Sequence, residues 1–341
     1  MATAQLQETQ VTPAPILEAT FGFAANQILL SAIDLDLFTH LANGANTVET
    51  LARATSCSPR GLRILLNALV GFKYLERDGD SYALAPVAET FLLKTSPQYL
   101  GGMILHSRQV RPAWDRLTEI VHTGKPGHSV ESNEDHGEFF AQFVDALYAL
   151  NAGAAEAAAH ALADGHAAGE FRVLDIGAGS GVWSLALARQ IRSARVTVAD
   201  WPIVIEKVTS KFAERLGVSN RYDYLPGNFR EVDFGESRFD VALLGHICHS
   251  EGAERTRALF RRVHRALNPG GRILIAEMVA DDARREAAFP LLFAVNMLVN
   301  TEDGDTFTFG EYRQWLEEAG FGKVRMIEAP SPSPLILAAK A

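Results

Sequence analysis

Glycines recur at every second position where an apolar strand gives way to a helix, in Val173-Leu174-Asp175-Ile176-Gly177-Ala178-Gly179-Ser180-Gly181. Glycine takes positive φ without strain and, having no Cβ, lets a ligand lie against bare backbone. A dinucleotide-binding loop reads GxGxxG and sets a pyrophosphate on the helix N-terminus. This loop reads DxGxGxG, without the third glycine one residue later. It suits a nucleotide cofactor that lacks phosphates and carries an amino-acid tail. Asp200 closes the next strand, twenty-five residues after Asp175, where a carboxylate can take both ribose hydroxyls. His249 follows the run Phe239–Ile247, with His246 three residues before it near the end of that run, and Glu277 lies at the end of Gly271–Met278. That is the carboxyl-end side, where open α/β sheets bind ligands. A neutral imidazole, with an ordinary pKa of about 6.5, can act as a general base near neutral pH.

These residues need a scaffold, and the pattern from Phe171 onward supplies one. Arg172–Ile176, Arg195–Ala199, Phe239–Ile247 and Gly271–Met278 are apolar or β-branched runs. Helical stretches such as Val182–Ile191 and Arg255–Leu267 separate them. Alternation of this kind predicts an α/β fold with a doubly wound parallel sheet.

The N-terminal part has a different grammar. Ala25, Ile28, Leu29, Ala32 and Ile33, continued by Leu37, Phe38 and Leu41, recur at helical spacing. Thr47 caps a short helix, and Pro59 opens the next, with Leu62, Leu65, Leu66 and Leu69 on one face. Two short strands then flank Asp78-Gly79-Asp80, a hairpin signal. Helix, turn, helix and hairpin make a winged helix. Residues 1–95 carry six Lys/Arg against nine Asp/Glu, and a duplex reader needs a basic face. A protein–protein role is therefore expected of this module, and no nucleic acid.

Composition narrows the class further. The chain has 341 residues, 48% hydrophobic and 21% charged, with a net charge of −9. This is ordinary globular composition for about two domains of ~150 residues. The negative charge argues against nonspecific binding to nucleic acid or to anionic membranes. The two cysteines, Cys57 and Cys248, make no disulfide framework, and a reducing, cytoplasmic setting is the simplest reading. The first fifteen residues lack a signal-peptide pattern. The longest apolar run, Pro290 to Val299, is half the ~20 residues of a membrane span, so no membrane is expected.

The motifs in order resemble those of the class I S-adenosylmethionine-dependent small-molecule O-methyltransferases of the caffeate/flavonoid type. They run from Tyr82-Ala-Leu-Ala-Pro86 through Asp175–Gly181, Asp200-Trp-Pro-Ile-Val204 and Gly227-Asn228-Phe229. His246-Ile-Cys-His249, Leu267-Asn-Pro-Gly-Gly271 with Ala276-Glu277, and Tyr312 with Ala319-Gly320-Phe321 follow. The resemblance covers the chain from about residue 20. It implies a doubly wound, Rossmann-like methyltransferase domain preceded by a mostly helical winged-helix dimerisation domain, and hence a homodimer through the N-terminal domain. The expected boundaries are a tail over 1–15, the dimerisation domain over 16–95, a helical connector contributing to the substrate pocket over 96–168, and the cofactor domain over 169–341.

Residue by residue, the resemblance implies that Asp175, Gly177 and Gly179 face S-adenosylmethionine and that Asp200 holds its ribose. Asn228 stands where the family has an adenine-contacting Asp, Phe229 walls the purine, Trp201 covers the adenosine edge, and Asn151 lies beside the cofactor. His249 becomes the catalytic base and Glu277 the acid that orients it. The Asp-Trp that follows the histidine in the family is absent here, where Ser250-Glu251 stands. Met103, His106, Phe143, Tyr148, His246, Met297 and Asn300 are candidates for the acceptor pocket, with Phe293 beside them. A second acid of the plant enzymes aligns at Thr306, with Asp305 and Glu302 close by. His246, His249, Glu251 and Glu277 lie on a strand–loop rather than a helix face, and the family is metal-independent, so no metal is expected. The implied reaction is methyl transfer to a hydroxyl of a small aromatic or polyketide-like molecule, releasing S-adenosylhomocysteine. C-methylation stays open, as does a relative that binds the cofactor without methylating and acts as a hydroxylase, decarboxylase or pericyclase. A ligand-sensing winged-helix regulator is the alternative of another class.

Overall fold

The computed structural model describes residues 11–126, 136–164, 169–286, 288–330 and 334–341, over 136–146 as backbone only. Two compact units, residues 1–105 and 106–341, divide the chain.

The N-terminal unit starts with α1 (Ala14–Asp34) and α2 (Leu37–Ala42). The periodicity that suggests one continuous helix is interrupted at Asp36, which adopts φ 51°. Its carboxylate accepts from Thr39 Oγ1 at 2.8 Å and pairs with Lys94 at 2.9 Å, a local partner set that stabilises the break. Next come α3 (Val48–Thr55) and α4 (Pro59–Gly71). Thr47 closes a capping box on α3, and the Ser58 side chain accepts from the Gly61 amide, so each helix begins where its orphan amides find an oxygen. The hairpin of β1 (Leu75–Asp78) and β2 (Ser81–Leu84) turns on Gly79-Asp80, with Asp78 joining the strand. The helix α5 (Pro86–Phe91) follows. Leu37, Leu51, Leu62, Leu66, Leu69 and Tyr82 form the core of this unit.

Only the end of α1 enters that core. Ile16, Leu17, Phe21 and Phe23 are 71%, 53%, 64% and 61% exposed. This helix is 21 residues long, and an 18-residue stretch of it has a mean hydropathy of 1.4, enough by length and composition to cross a membrane. The expectation that no segment reaches that length is thereby corrected. Glu18, Thr20, Asn26 and Gln27 interrupt the run of apolar residues and hide its average from a search for unbroken stretches.

The boundary between units falls within α6 (Gly101–Trp114). Then come α7 (Leu117–Thr123) and the long α8 (His136–Ala163). The sheet domain runs β3 (Phe171–Ile176), α9 (Val182–Gln190), β4 (Ala194–Asp200), α10 (Pro202–Val204) and, after a π-helical turn over Ile205–Thr209, α11 (Ser210–Arg215). It continues with β5 (Tyr222–Pro226), β6 (Phe239–Gly245), α12 (Cys248–Ala266), β7 (Leu267–Ala276), α13 (Ala288–Asn300), α14 (Phe309–Glu318), β8 (Phe321–Ile327) and β9 (Leu335–Lys340). The strand order is β5-β4-β3-β6-β7-β9-β8.

The doubly wound core is as expected, but the sheet is mixed rather than parallel. The five strands from β5 to β7 run parallel, whereas β9 is antiparallel to both β7 and β8. Only Glu328–Pro334 joins β8 to β9. So short a link cannot hold a crossover helix, which a parallel pair would need. Strand residues alternate between two cores. Val173, Val241, Leu243 and Leu274 pack with α8 and α9, and Leu174, Ile176, Leu244 and Ile275 with α12 and α14. Burial on both faces explains the near-continuous apolar runs.

Candidate active site

The turn after β3 holds Gly177, Gly179 and Gly181 at φ 63°, 55° and 72°. A Cβ on Gly177 would sit 2.6 Å from Ile247 Cγ2, and 3.7 Å from the Phe229 ring. A Cβ on Gly179 would meet nothing within 4 Å. The loop is therefore closed behind Gly177 and open in front of Gly179, a bare-backbone cradle. Asp200, buried at the end of β4, fastens it. Its Oδ2 accepts from the Gly179 amide at 2.9 Å and its Oδ1 from the Trp201 amide at 2.7 Å. Thr209 Oγ1 donates to the Gly179 carbonyl at 2.6 Å.

Burial raises both acids of this turn. It pushes the Asp200 carboxyl up to about 6 against the two amides. Asp175, wholly buried beside Ser184, is pushed to about 7 by burial and then by the charge of Asp200. A ligand carrying a cation and hydroxyl donors would stabilise the ionised forms. S-adenosylmethionine, with its sulfonium, amino group and ribose hydroxyls, fits this cradle. Asn228 Oδ1 accepts from the Arg230 amide at 3.0 Å, which orients the side chain from its own loop. Phe229 packs partly buried against the core beneath α12, and Trp201 is half exposed.

Both histidines and Glu277 come together at the ends of β6 and β7, where Gly245 and Ala276 are in register. His249 Nδ1 lies 2.7 Å from Glu277 Oε2. Glu277 is fully buried and accepts from three backbone amides as well: Cys248 at 2.7 Å, His249 at 3.2 Å and Met278 at 3.2 Å. Burial alone would raise this carboxyl. The His249 imidazole and its hydrogen bonds outweigh that and hold it below its ordinary value. An ionised Glu277 requires the His249 proton on Nδ1, which leaves Nε2 as the free acceptor. Phe293 of α13 presents its ring edge-on to the imidazole at 5.0 Å.

His246 sits in the left-handed region at φ 60°, a conformation that costs a non-glycine residue energy. Its Nε2 is 3.1 Å from Asn151 Oδ1, and Asn151 Nδ2 donates to the Leu147 carbonyl at 3.0 Å. With the amide so oriented, His246 Nε2 is the donor and its buried Nδ1 the unprotonated nitrogen. Burial lowers its pKa to about 4, so it stays neutral near pH 7. His246, His249 and Glu277 each bring one donor atom within 4.8 Å of the others, a set that could hold a metal ion. Glu277 already accepts four hydrogen bonds there, and Glu251 turns away into an ion pair with Arg230.

The other pocket candidates scatter. Met297 is buried and its carbonyl accepts from Thr301. Asn300 spends its amide on Asn296 of the same helix. Tyr148 stacks on Phe212 at 4.8 Å and packs into the core under α9. His106 lies in the C-terminal unit, where burial lowers its pKa, whereas Met103 belongs to the N-terminal one. The side chain of Phe143 lies outside the described residues. Thr306 is fully buried and donates to the Pro290 carbonyl. The Asp305 amide donates to the His249 carbonyl at 2.9 Å. Arg230, Glu251, Arg255 and Asp303, which sequence reasoning did not single out for this role, surround the His249 turn with ion pairs. The i,i+4 spacing of Glu251 and Arg255 is a signal the chain itself carries, whereas nothing in the spacing of Arg230 or Asp303 announces them.

Comparison with known proteins bears on the fold and its two domains. Residues 17–94 match the model of the O-methyltransferase dimerisation domain, and residues 117–322 that of the O-methyltransferase domain. The chain is 34% identical over 339 residues to the tetracenomycin polyketide synthesis 8-O-methyl transferase TcmO of Streptomyces glaucescens, covering 96% of this chain and 97% of that one. It is 30% identical over 325 residues to the 3-hydroxy-5-methyl-1-naphthoate 3-O-methyltransferase of Streptomyces sahachiroi, covering 94% and 92%. The crystal structure of human N-acetylserotonin methyltransferase in complex with SAM is similar in fold. Its TM-score is 0.83 at 23% identity, over 98% of this chain and 100% of that one. With both domain models matched in order and the relatives aligned nearly end to end, the chain belongs to the S-adenosylmethionine-dependent O-methyltransferase family.

Proposed function

We propose that this protein methylates a hydroxyl of a small aromatic or polyketide-like molecule, with His249 as general base and Glu277 as its orienter. The observation that carries the reading is the 2.7 Å contact between His249 Nδ1 and Glu277 Oε2 at the strand ends beside the glycine cradle. When bound, S-adenosylmethionine supplies an activated methyl carbon. Asp175, Gly177, Gly179 and Asp200 would hold its amino-acid and ribose parts, and Asn228, Phe229, Trp201 and Asn151 the remainder. His249 Nε2 would take the hydroxyl proton, leaving the acceptor oxygen as the nucleophile for the methyl carbon that the cofactor supplies. Glu277 keeps the imidazole turned and stabilises the charge it gains. Phe293 and His246 flank the imidazole and would bound the acceptor.

The proposed acceptor class follows from the relatives, one named for tetracenomycin polyketide synthesis and one for a hydroxynaphthoate. Purified protein with methyl-labelled S-adenosylmethionine and a panel of polyphenols should label an acceptor oxygen. Label on carbon would favour C-methylation, and conversion without label a non-methylating relative. We assign association to 16–95, the acceptor pocket partly to 96–168 and the cofactor to 169–341.

The occupant proposed for the exposed apolar face of α1 is a second copy of the chain. The dimerisation model covers residues 17–94, and Ile16, Leu17, Phe21 and Phe23 in water would make an apolar patch unusual for a monomer. Light scattering at micromolar concentration should read twice the 37.1 kDa chain mass. A monomer would contradict the proposal, and a duplex-dependent gel shift at physiological salt would favour the regulator instead.

A further inference from the structure

The His249 turn is a detached piece of helix. Gly252 breaks α12 at φ 73° and ψ 173°, leaving Cys248–Glu251 as a single turn ahead of the main helix. A Cβ on Gly252 would lie 2.4 Å from the Asp303 carbonyl oxygen, so the break is packed closely against the loop after α13. An imidazole on one short turn needs anchoring from outside, because a base displaced by about 1 Å can lose ~10²-fold in rate.

One anchor comes from the loop that carries Asn228 and Phe229. Arg230 Nε lies 2.9 Å from Glu251 Oε2, and Arg230 Nη2 lies 2.7 Å from Glu251 Oε1. The Glu251 side chain is 4% exposed. A forked pair on a buried carboxylate fixes distance and angle together. The Arg230 end is itself held. Its amide donates to Asn228 Oδ1 at 3.0 Å, and Arg262 Nη1 donates to the carbonyls of Phe229 and Arg230 at 2.7 and 2.8 Å. On the far side, Arg255 Nε lies 3.7 Å from Glu251 Oε2, and Arg255 Nη1 lies 2.8 Å from Asp303 Oδ2. Two residues on, the Asp305 amide reaches the His249 carbonyl.

We infer that Arg230 and Glu251 are positioning residues that tie the His249 turn to the Asn228–Phe229 loop, so that cofactor binding at that loop steadies the base. This rests on the proposed placement of Asn228 and Phe229 at the adenosine. Neither residue reaches the reacting atoms. Their effect is on where the imidazole stands, and it rises when the loop is filled.

Hydrogen exchange of the full chain, with and without saturating S-adenosylhomocysteine, tests the tie. In the wild type, the product should slow exchange over 175–181, over 227–232 and over 248–255. In Arg230→Met it should still slow exchange over 175–181 but no longer over 248–255. Turnover should fall about 10- to 100-fold, with the KM for S-adenosylmethionine changed less than about fivefold. Arg230→Lys, which keeps the charge and loses the fork, should fall between and guards against a folding defect. Protection of 248–255 in Arg230→Met equal to wild type, or wild-type turnover in that variant, would overturn the tie. Wild type protected over 227–232 but not over 248–255 would also overturn it. Wild type protected over 175–181 alone would instead remove the adenosine placement, and the inference with it.

Discussion

Replacing His249 with alanine lowers methyl transfer to a neutral phenol by about 10²–10⁴-fold, the contribution of a positioned general base. Affinity for S-adenosylhomocysteine stays within about threefold, because the Nδ1 side of the ring faces Glu277 and the cradle is built by other residues. Glu277→Gln is expected to lose roughly 10–100-fold. The amide keeps the volume, but one of its two heads is a donor. Glu277 accepts from three amides and an imidazole, so a donor head must face another donor. The His249 tautomer that exposes an unprotonated Nε2 is then no longer enforced. Single-turnover rates measured beside product affinity separate these effects. Near wild-type turnover of His249→Ala on a neutral phenol would show that alignment alone carries the reaction.

Asp200→Ala has the largest expected effect on binding. The carboxylate fastens the Gly179 and Trp201 amides and retains lone pairs for the ribose. Each charge-assisted bond to a ligand is worth about 1.5–3 kcal/mol, so affinity for S-adenosylhomocysteine falls at least about tenfold, and further if the loop relaxes. The same carboxyl gives a pH dependence of known sign. Burial raises it to about 6 without ligand, and a ligand that donates to its ionised form must shift it back down. Affinity is therefore full above pH 6 and declines as pH falls through that value, by up to tenfold per unit. Calorimetric titration between pH 5 and 8 would read it. In Asp200→Asn this part of the slope should disappear, and an unchanged slope would remove Asp200 from the cofactor site.

Much of the scaffold was legible because the interactions that build it are local. Thr47 caps its helix through the residue three positions on, and Gly79-Asp80 turns its hairpin. The glycine spacing after β3 is a backbone requirement written at the positions where φ is positive. The pair of His249 and Glu277 was also within reach, since adjacent parallel strands that end in register deliver whatever follows them to one place.

Sequence by itself thus determined the element types, the winged helix, the glycine turn and the two strand ends that bear the imidazole and its carboxylate. Tertiary structure alone decided the antiparallel closing strand β9, the Asn151–His246 bond across 95 residues and the Arg230–Glu251 pair beneath the base. It also drew Tyr148 into a stack with Phe212 and Asn300 onto its own helix. The reason is physical: caps, turns and periodicity act within a few residues, where spacing is visible in the chain. Partners joined across loops are chosen by which polar groups burial leaves unsatisfied, and that is known only once the layers have packed.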